Sequence, residues 1–177
     1  MEEIAQVYAR SLFQVAQEQG KLDVVREELG QVSETLEPNH DMRLFFFSPY
    51  FSTEEKREGL RSTIQGADPV TMNLLDVLVE NHRLPVVPRI RREYERLWRD
   101  ANDLLPVTVT SAVELDDAVV ARIGEEIGRQ TGRKVELTRT VDPSIVGGVV
   151  IKVGDKLVDG SVKTRLRRLR RELEGVR

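Results

Sequence analysis

Residues 145–161 read Ile-Val-Gly-Gly-Val-Val-Ile-Lys-Val-Gly-Asp-Lys-Leu-Val-Asp-Gly-Ser. Glycine, lysine, aspartate and serine this close together suggest a phosphate cradle, in which backbone N–H groups and a lysine hold an anion. The spacing argues otherwise. A Walker loop needs Gly, four residues, Gly, Lys and then Ser or Thr. Here five residues separate Gly154 from Gly160, and Gly160 runs straight into Ser161. The adjacent pair Gly147-Gly148 does not fit a Gly-x-Gly-x-x-Gly dinucleotide fingerprint. A hairpin fits without adjustment. Gly154-Asp155 offers a two-residue turn, with glycine at positive φ as in type II′. Gly147-Gly148 suggests a bulge or close backbone approach. Asp159-Gly160 turns the chain away, and Ser161 caps a following helix whose N-terminus could still hold an anion.

Other candidates for chemistry are sparse. His40 lies beside Asp41 in what reads as a turn, and His82 lies at a helix end; neither has a second ligand at metal spacing. The acid pairs Glu54-Glu55 and Glu125-Glu126 are adjacent, so on a helix they point in different directions. No Gly-x-Ser-x-Gly, His-Glu-x-x-His or EF-hand loop occurs. The sequence therefore predicts no catalytic residue, no cofactor and no metal.

Composition sets the frame for the elements. The chain has 177 residues, 40% hydrophobic and 32% charged, with 5% aromatics and no cysteine. That allows an aliphatic core, excludes disulfides and thiolate metal sites, and suggests a reducing compartment. The acidic start lacks a signal-peptide pattern, and no apolar run is long enough to span a bilayer. Residues 1–105 carry 13 Lys and Arg against 19 Asp and Glu, net −6; residues 106–177 carry 14 against 11, net +3. Opposite signs favour a two-part chain.

The first part reads as helix throughout. Ile4–Gln19 and Lys21–Glu37 show helical spacing, the first closed by Gly20 and the second by Pro38. A short apolar segment, Leu44–Phe47, follows. Ser52-Thr-Glu-Glu55 is a capping box opening a helix to about Ile64. Asp68-Pro69 opens a fifth helix to about Asn81, and Val86–Asn102 forms a sixth. The first and fifth helices are broader in apolar surface than one packed stripe requires. Ala5, Ala9, Leu12, Phe13 and Ala16 form one arc of the first, flanked by Ile4, Tyr8 and Val15. On the fifth, Leu74, Leu75, Leu78 and Val79 form a sector that Val70 and Val77 extend toward Asn73 and Asn81. Either both helices sit centrally in the bundle, or the flanking arcs line a groove for a partner helix.

The second part changes period. Leu105–Val113 and Lys134–Val141 alternate as strands, with a helix capped at Asp116-Asp117 and closed at Gly132 between them. Val146–Val153 and Lys156–Val158 add two more strands. The order β-α-β-β-β-α gives a small α+β layer. The final helix carries a heptad-like seam, Val162, Leu166, Leu169, Leu173 and Val176, amid Lys163, Arg165, Arg167, Arg168, Arg170 and Arg171. This seam could pack on its own sheet, dock an acidic partner or meet nucleic acid. The last is weakened by the acidic overall balance and the lack of interleaved aromatics.

The run Val146–Leu166, continuing to Leu169, closely resembles the C-terminal signature of the delta subunit of F-type ATP synthases, whose mitochondrial equivalent is the oligomycin-sensitivity-conferral protein. Tyr8-Ala-Arg-Ser-Leu-Phe13 and Leu78-Val-Glu-Asn-His-Arg-Leu84 match in kind and place. One departure is Lys163-Thr164, where the family often has Arg-Gly or Arg-Thr. The resemblance implies an α+β protein: a six-helix bundle, residues 1–104, binding the catalytic head, then a small α+β domain, residues 105–177, binding the peripheral stalk. It implies a non-catalytic stator, one copy per complex, at the cytoplasmic face of the cell membrane without insertion into it. The groove between the first and fifth helices would receive the N-terminal helix of an alpha subunit through Ile4, Tyr8, Ser11, Val15, Val70, Asn73, Leu74, Val77 and Asn81. The b subunits would meet Arg165, Leu166, Leu169 and Arg170. No cofactor, metal or nucleic acid is implied. Two rival readings are an RNA-binding regulatory protein with a basic C-terminal helix and a small-molecule enzyme using the glycine-rich segment.

Overall fold

Helix signals in the first hundred residues translate directly into elements. The structure, a computed structural model, describes residues 2–36 and 38–174; for 169, 170 and 172–174 it describes the backbone alone. Among these residues, α1 spans Glu2–Glu18, α2 Leu22–Leu36, α3 His40–Phe47, α4 Thr53–Thr63, α5 Pro69–Glu80 and α6 Val87–Ala101. Gly20 takes φ +67° beyond α1, where a residue with a Cβ would be strained. Ser52 and Glu55 form the capping box of α4, with the Glu55 N–H donating to Ser52 Oγ at 3.2 Å and the Ser52 N–H donating to Glu55 Oε2 at 2.7 Å. These exchanges satisfy N–H groups that the first helical turn leaves without partners.

Two local readings change. His40 is the first residue of α3 rather than part of a turn, because the Asn39 side chain accepts from the N–H groups of Asp41 and Met42. A cap therefore starts the helix four residues before the apolar run. The sixth helix begins at Val87, preceded by a 3-10 turn over Leu84–Val86.

The helices enclose a core of aliphatic residues and alanine. Ala5, Ala9 and Ala16 of α1 are fully buried, as are Leu75 and Leu78 of α5. Tyr94 of α6 brings a polar group into this core; its hydroxyl donates to the Leu22 carbonyl at 3.1 Å, and burial pushes that hydroxyl's pKa well above its ordinary value. The Trp98 indole N–H donates to Asp23 Oδ1 at 2.7 Å while Arg26 lies 3.8 Å above the ring, tying α6 to α2.

The chain divides into two compact units, Met1–Arg99 and Asp100–Arg177. The second holds β1 Leu104–Ser111, α7 Asp117–Thr131, β2 Lys134–Val141, β3 Val149–Val153, β4 Lys156–Asp159 and α8 Val162–Glu174. The sheet order is β2-β1-β3-β4, with β1 parallel to β2 and the other pairs antiparallel. The parallel pair requires a crossover, which α7 supplies. Gly124 lets α7 lie close on the sheet: a Cβ there would meet Leu137 Cδ1 at 2.6 Å. The protein is thus α+β, with a six-helix bundle followed by a small α+β layer.

Here too the sequence reading needs correction. β3 begins at Val149, not Val146. Asp142 caps a 3-10 turn over Pro143–Ile145, with the Ser144 N–H donating to its carboxylate at 2.9 Å, and Val146 takes φ +67°. Turn chemistry there overrides the β preference of isoleucine and valine. β1 stops at Ser111, whose hydroxyl donates to the Val113 carbonyl at 2.7 Å and turns the chain.

Candidate helix-binding site

The α1 and α5 apolar arcs meet across an open cleft. Two links fix the helices antiparallel. Just past α1, Lys21 pairs with Asp68, the N-cap of α5, at 2.8 Å. Just past α5, Arg83 donates from Nη1 to the hydroxyl of Tyr8, in the second turn of α1, at 3.1 Å. The Lys21 hydrogen bond, then the Val70 N–H, holds the Asp68 carboxyl below the usual carboxylate range. The cleft has a volume of about 270 Å³. It is lined by Tyr8, Ser11, Leu12 and Val15 of α1 with Gln19 just past its end, and by Val70, Asn73, Leu74 and Val77 of α5.

Depth and chemistry are graded across it. Leu12, Val70 and Leu74 form a nearly buried floor. Val15 and Val77 stand on the walls, each 41% exposed, and Tyr8 is half-buried. Ser11, Gln19 and Asn73 are exposed, and all three are uncharged. An aliphatic floor, small walls and a neutral polar rim suit the apolar stripe of an amphipathic helix. They hold no nucleophile or general base.

Of the residues expected on this surface, Tyr8, Ser11, Val15, Val70, Asn73, Leu74 and Val77 line the cleft. Ile4 and Asn81 do not. Ile4 is half-buried one turn before Tyr8, and Asn81 is the C-cap of α5, its amide donating to the Val77 carbonyl at 2.8 Å. Leu12 and Gln19 are lining residues that helical spacing does not single out. Leu12 belongs to the core arc and faces core and cleft together, and Gln19 carries no apolar signal.

On the second unit, the two seam residues of α8 whose side chains are described face solvent. Val162 is 41% exposed and Leu166 60%, so these members do not pack on the sheet as one sequence reading allows. Arg165 is exposed. Leu169, Arg170 and Leu173 have side chains outside those described, and Val176 lies outside the described residues. A second apolar hollow of about 470 Å³, which sequence reasoning missed, lies beside α7, lined mainly by Val119, Ile123, Ile127 and Ile151. Its only sequence signal is the excess of apolar residues on α7.

The glycine-rich segment resolves as scaffold. Gly154 takes φ +55° in the β3–β4 turn. Gly148 takes φ +82°, and a Cβ there would lie 2.6 Å from the Gly160 carbonyl oxygen. At the start of α8, Asp159 accepts from the Ser161 N–H at 2.9 Å and from the Thr164 hydroxyl at 2.7 Å. These bonds, the Ser161 N–H foremost, hold its carboxyl below the usual range. The position a phosphate would take is thus filled by the chain's own carboxylate. His40 and His82 are exposed, and among the described residues no group of His, Asp and Glu could hold a metal ion. No helix among those residues is long and apolar enough to cross a membrane.

Comparison with known proteins places this architecture. Residues 4–173 match the family model for the ATP synthase delta (OSCP) subunit. The chain is 36% identical over 171 residues to ATP synthase subunit delta of Symbiobacterium thermophilum, covering 96% of this chain and 92% of the relative. It is 34% identical over 174 residues to the subunit delta of Desulfotalea psychrophila, with 97% and 96% covered. A chain of the Toxoplasma gondii mitochondrial ATP synthase hexamer, solved by cryo-EM, superposes with a TM-score of 0.74 at 28% identity, covering 96% of each chain. Nothing in these relatives supports the RNA-binding or small-molecule-enzyme readings. The chain belongs to the ATP synthase delta (OSCP) subunit family: it is a stator component of the F-type ATP synthase and not one of its catalysts.

Proposed function

We propose that the chain, one copy per complex, clamps the catalytic head to the peripheral stalk by holding the N-terminal helix of an alpha subunit in the α1–α5 cleft. The observation that carries this reading is the cleft itself: an aliphatic floor left open to water between two antiparallel helices. Val77 and Tyr8 are its central contacts, Ile4 and Asn81 extend it at the Tyr8 end, and burial of aliphatic surface at roughly 25 cal/mol per Å² supplies the attraction. The second unit takes the b subunits, through Arg165, Leu166, Leu169 and Arg170 of α8. The exposed Leu166 and the apolar hollow beside α7 support that reading. The complex holds the chain at the cytoplasmic face of the cell membrane. Rotary catalysis exerts torque on the head, and a clamp resists it through slow dissociation at both attachments.

Calorimetry with a synthetic peptide of the alpha N-terminus tests the cleft. Val77 is exposed at the wall, so Val77→Asp spares the core while placing a charge against the incoming stripe. Both Val77→Asp and Tyr8→Ala weaken binding by more than about tenfold, with the folded helical content retained. Unchanged affinity in both variants removes the assignment.

A further inference from the structure

Arg83 stands at one end of the cleft and is aimed there by the backbone. The His82 N–H donates to the Val79 carbonyl at 3.0 Å, the Arg83 N–H donates to the Leu78 carbonyl at 2.7 Å, and His82 takes φ +55°. This is a Schellman closure of α5, which sets the direction in which Arg83 leaves the helix. Its guanidinium reaches the Tyr8 hydroxyl and lies 6.0 Å from the ring centroid. Elsewhere in this unit Arg26, Arg57, Arg91 and Arg99 each close on a carboxylate. Among the described residues Arg83 closes on none; its partner is a neutral phenol, so its charge stays uncompensated beside a cleft of uncharged lining. The nearby carboxylate of Glu80 is held by Arg57 at 2.6 Å.

The other end of the cleft has the opposite sign. Lys21 there is neutralised by Asp68. Glu18, in the last turn of α1, is exposed. At about 100° per residue it falls on the same face of α1 as Ser11. The cleft is therefore polarised, positive beside Tyr8 and negative beside Gln19. A helix carries partial positive charge at its N-terminus and partial negative charge at its C-terminus.

We infer that Arg83 is a specificity-determining residue: it receives a carboxylate on the last turn of the occupant helix and so fixes the direction in which that helix lies. The occupant runs antiparallel to α1, its N-terminal turn near Glu18 and its C-terminal turn at Arg83. Arginine suits this role because its planar fork has five donors, enough to bind a carboxylate through two hydrogen bonds while keeping the one to the Tyr8 hydroxyl. The inference rests on the cleft being a helix seat, as proposed above.

The absence of cysteine makes direction measurable in the full chain. Gln19→Cys and Ile4→Cys variants are each oxidised with a synthetic peptide of the alpha N-terminus, roughly 20 residues long and about 30 Å as a helix, bearing one cysteine at either end. Gln19→Cys captures the peptide cysteine at the N-terminal end and Ile4→Cys the one at the C-terminal end; the reverse pattern overturns the inference. In calorimetry with the same peptide, Arg83→Gln lowers affinity about fivefold and Arg83→Glu more than about tenfold, as expected for a partly desolvated ion pair. Replacing the last-turn carboxylate of the peptide by its amide gives the fivefold loss in the unsubstituted chain and no further loss in Arg83→Gln. Tight binding that ignores Arg83→Glu overturns this inference alone. Failure of the unsubstituted chain to bind overturns the cleft assignment as well.

Discussion

Gly148 shows how a single residue holds the second unit together. Its neighbour across the turn, Gly160, is so close that any Cβ would collide with the backbone oxygen, and its φ of +82° strains every side-chain-bearing residue. Gly148→Ala should therefore destabilise the chain by more than about 1 kcal/mol, seen as a lowered denaturation midpoint of the sheet-bearing unit with the helical unit unaffected. An unchanged midpoint would show that the loop relaxes freely. Residues of this kind are legible in sequence as glycine pairs, because only geometry explains them once phosphate-loop spacing fails. Leu12 and Gln19 are not legible in the same way. A leucine that floors a cleft has the same helical spacing as one that fills a core, and a glutamine at a helix end carries no pattern at all. Arg83 is hidden for a further reason: its role depends on a phenol 75 residues away in the chain.

At the scale of elements, the helices of the first unit follow from periodicity and caps, since Ser52 and Asp68 each bond the turn they open. The misread boundaries lie where short polar residues compete with propensity, at Asn39 before α3 and at Asp142-Pro143 before β3. For α8 the spacing of the seam is readable, whereas its exposure depends on what the sheet leaves uncovered, a tertiary property. That exposure makes a specific expectation. Leu166→Asp removes an apolar contact already in solvent, so it should leave the thermal midpoint of the chain within about 1 °C, because surface changes of this kind cost only a few tenths of a kcal/mol. Binding to a fragment holding the C-terminal end of the b polypeptide, followed by sedimentation or calorimetry, should fall more than about tenfold. Loss of fold together with binding would mean that the seam is internal support and not a docking face.

The whole molecule has two units of opposite charge: −6 over residues 1–105 and +3 over residues 106–177. Each unit carries apolar surface beyond the needs of its own core, the α1–α5 cleft in one and the exposed Val162 and Leu166 of α8 with the α7 hollow in the other. Two separate attachments are what a stator requires, because a single one would let the head turn with the rotor. Chemistry is not needed for this task, in keeping with a sequence whose glycines and carboxylates serve turns and caps. The decisive measurement is ATP-driven proton pumping, alongside ATP hydrolysis, by ATP synthase stripped of its own copy and reconstituted with the full chain carrying Val77→Asp. The account predicts that hydrolysis persists while pumping falls to a small fraction of that with the unsubstituted chain. Pumping at the unsubstituted level would contradict it.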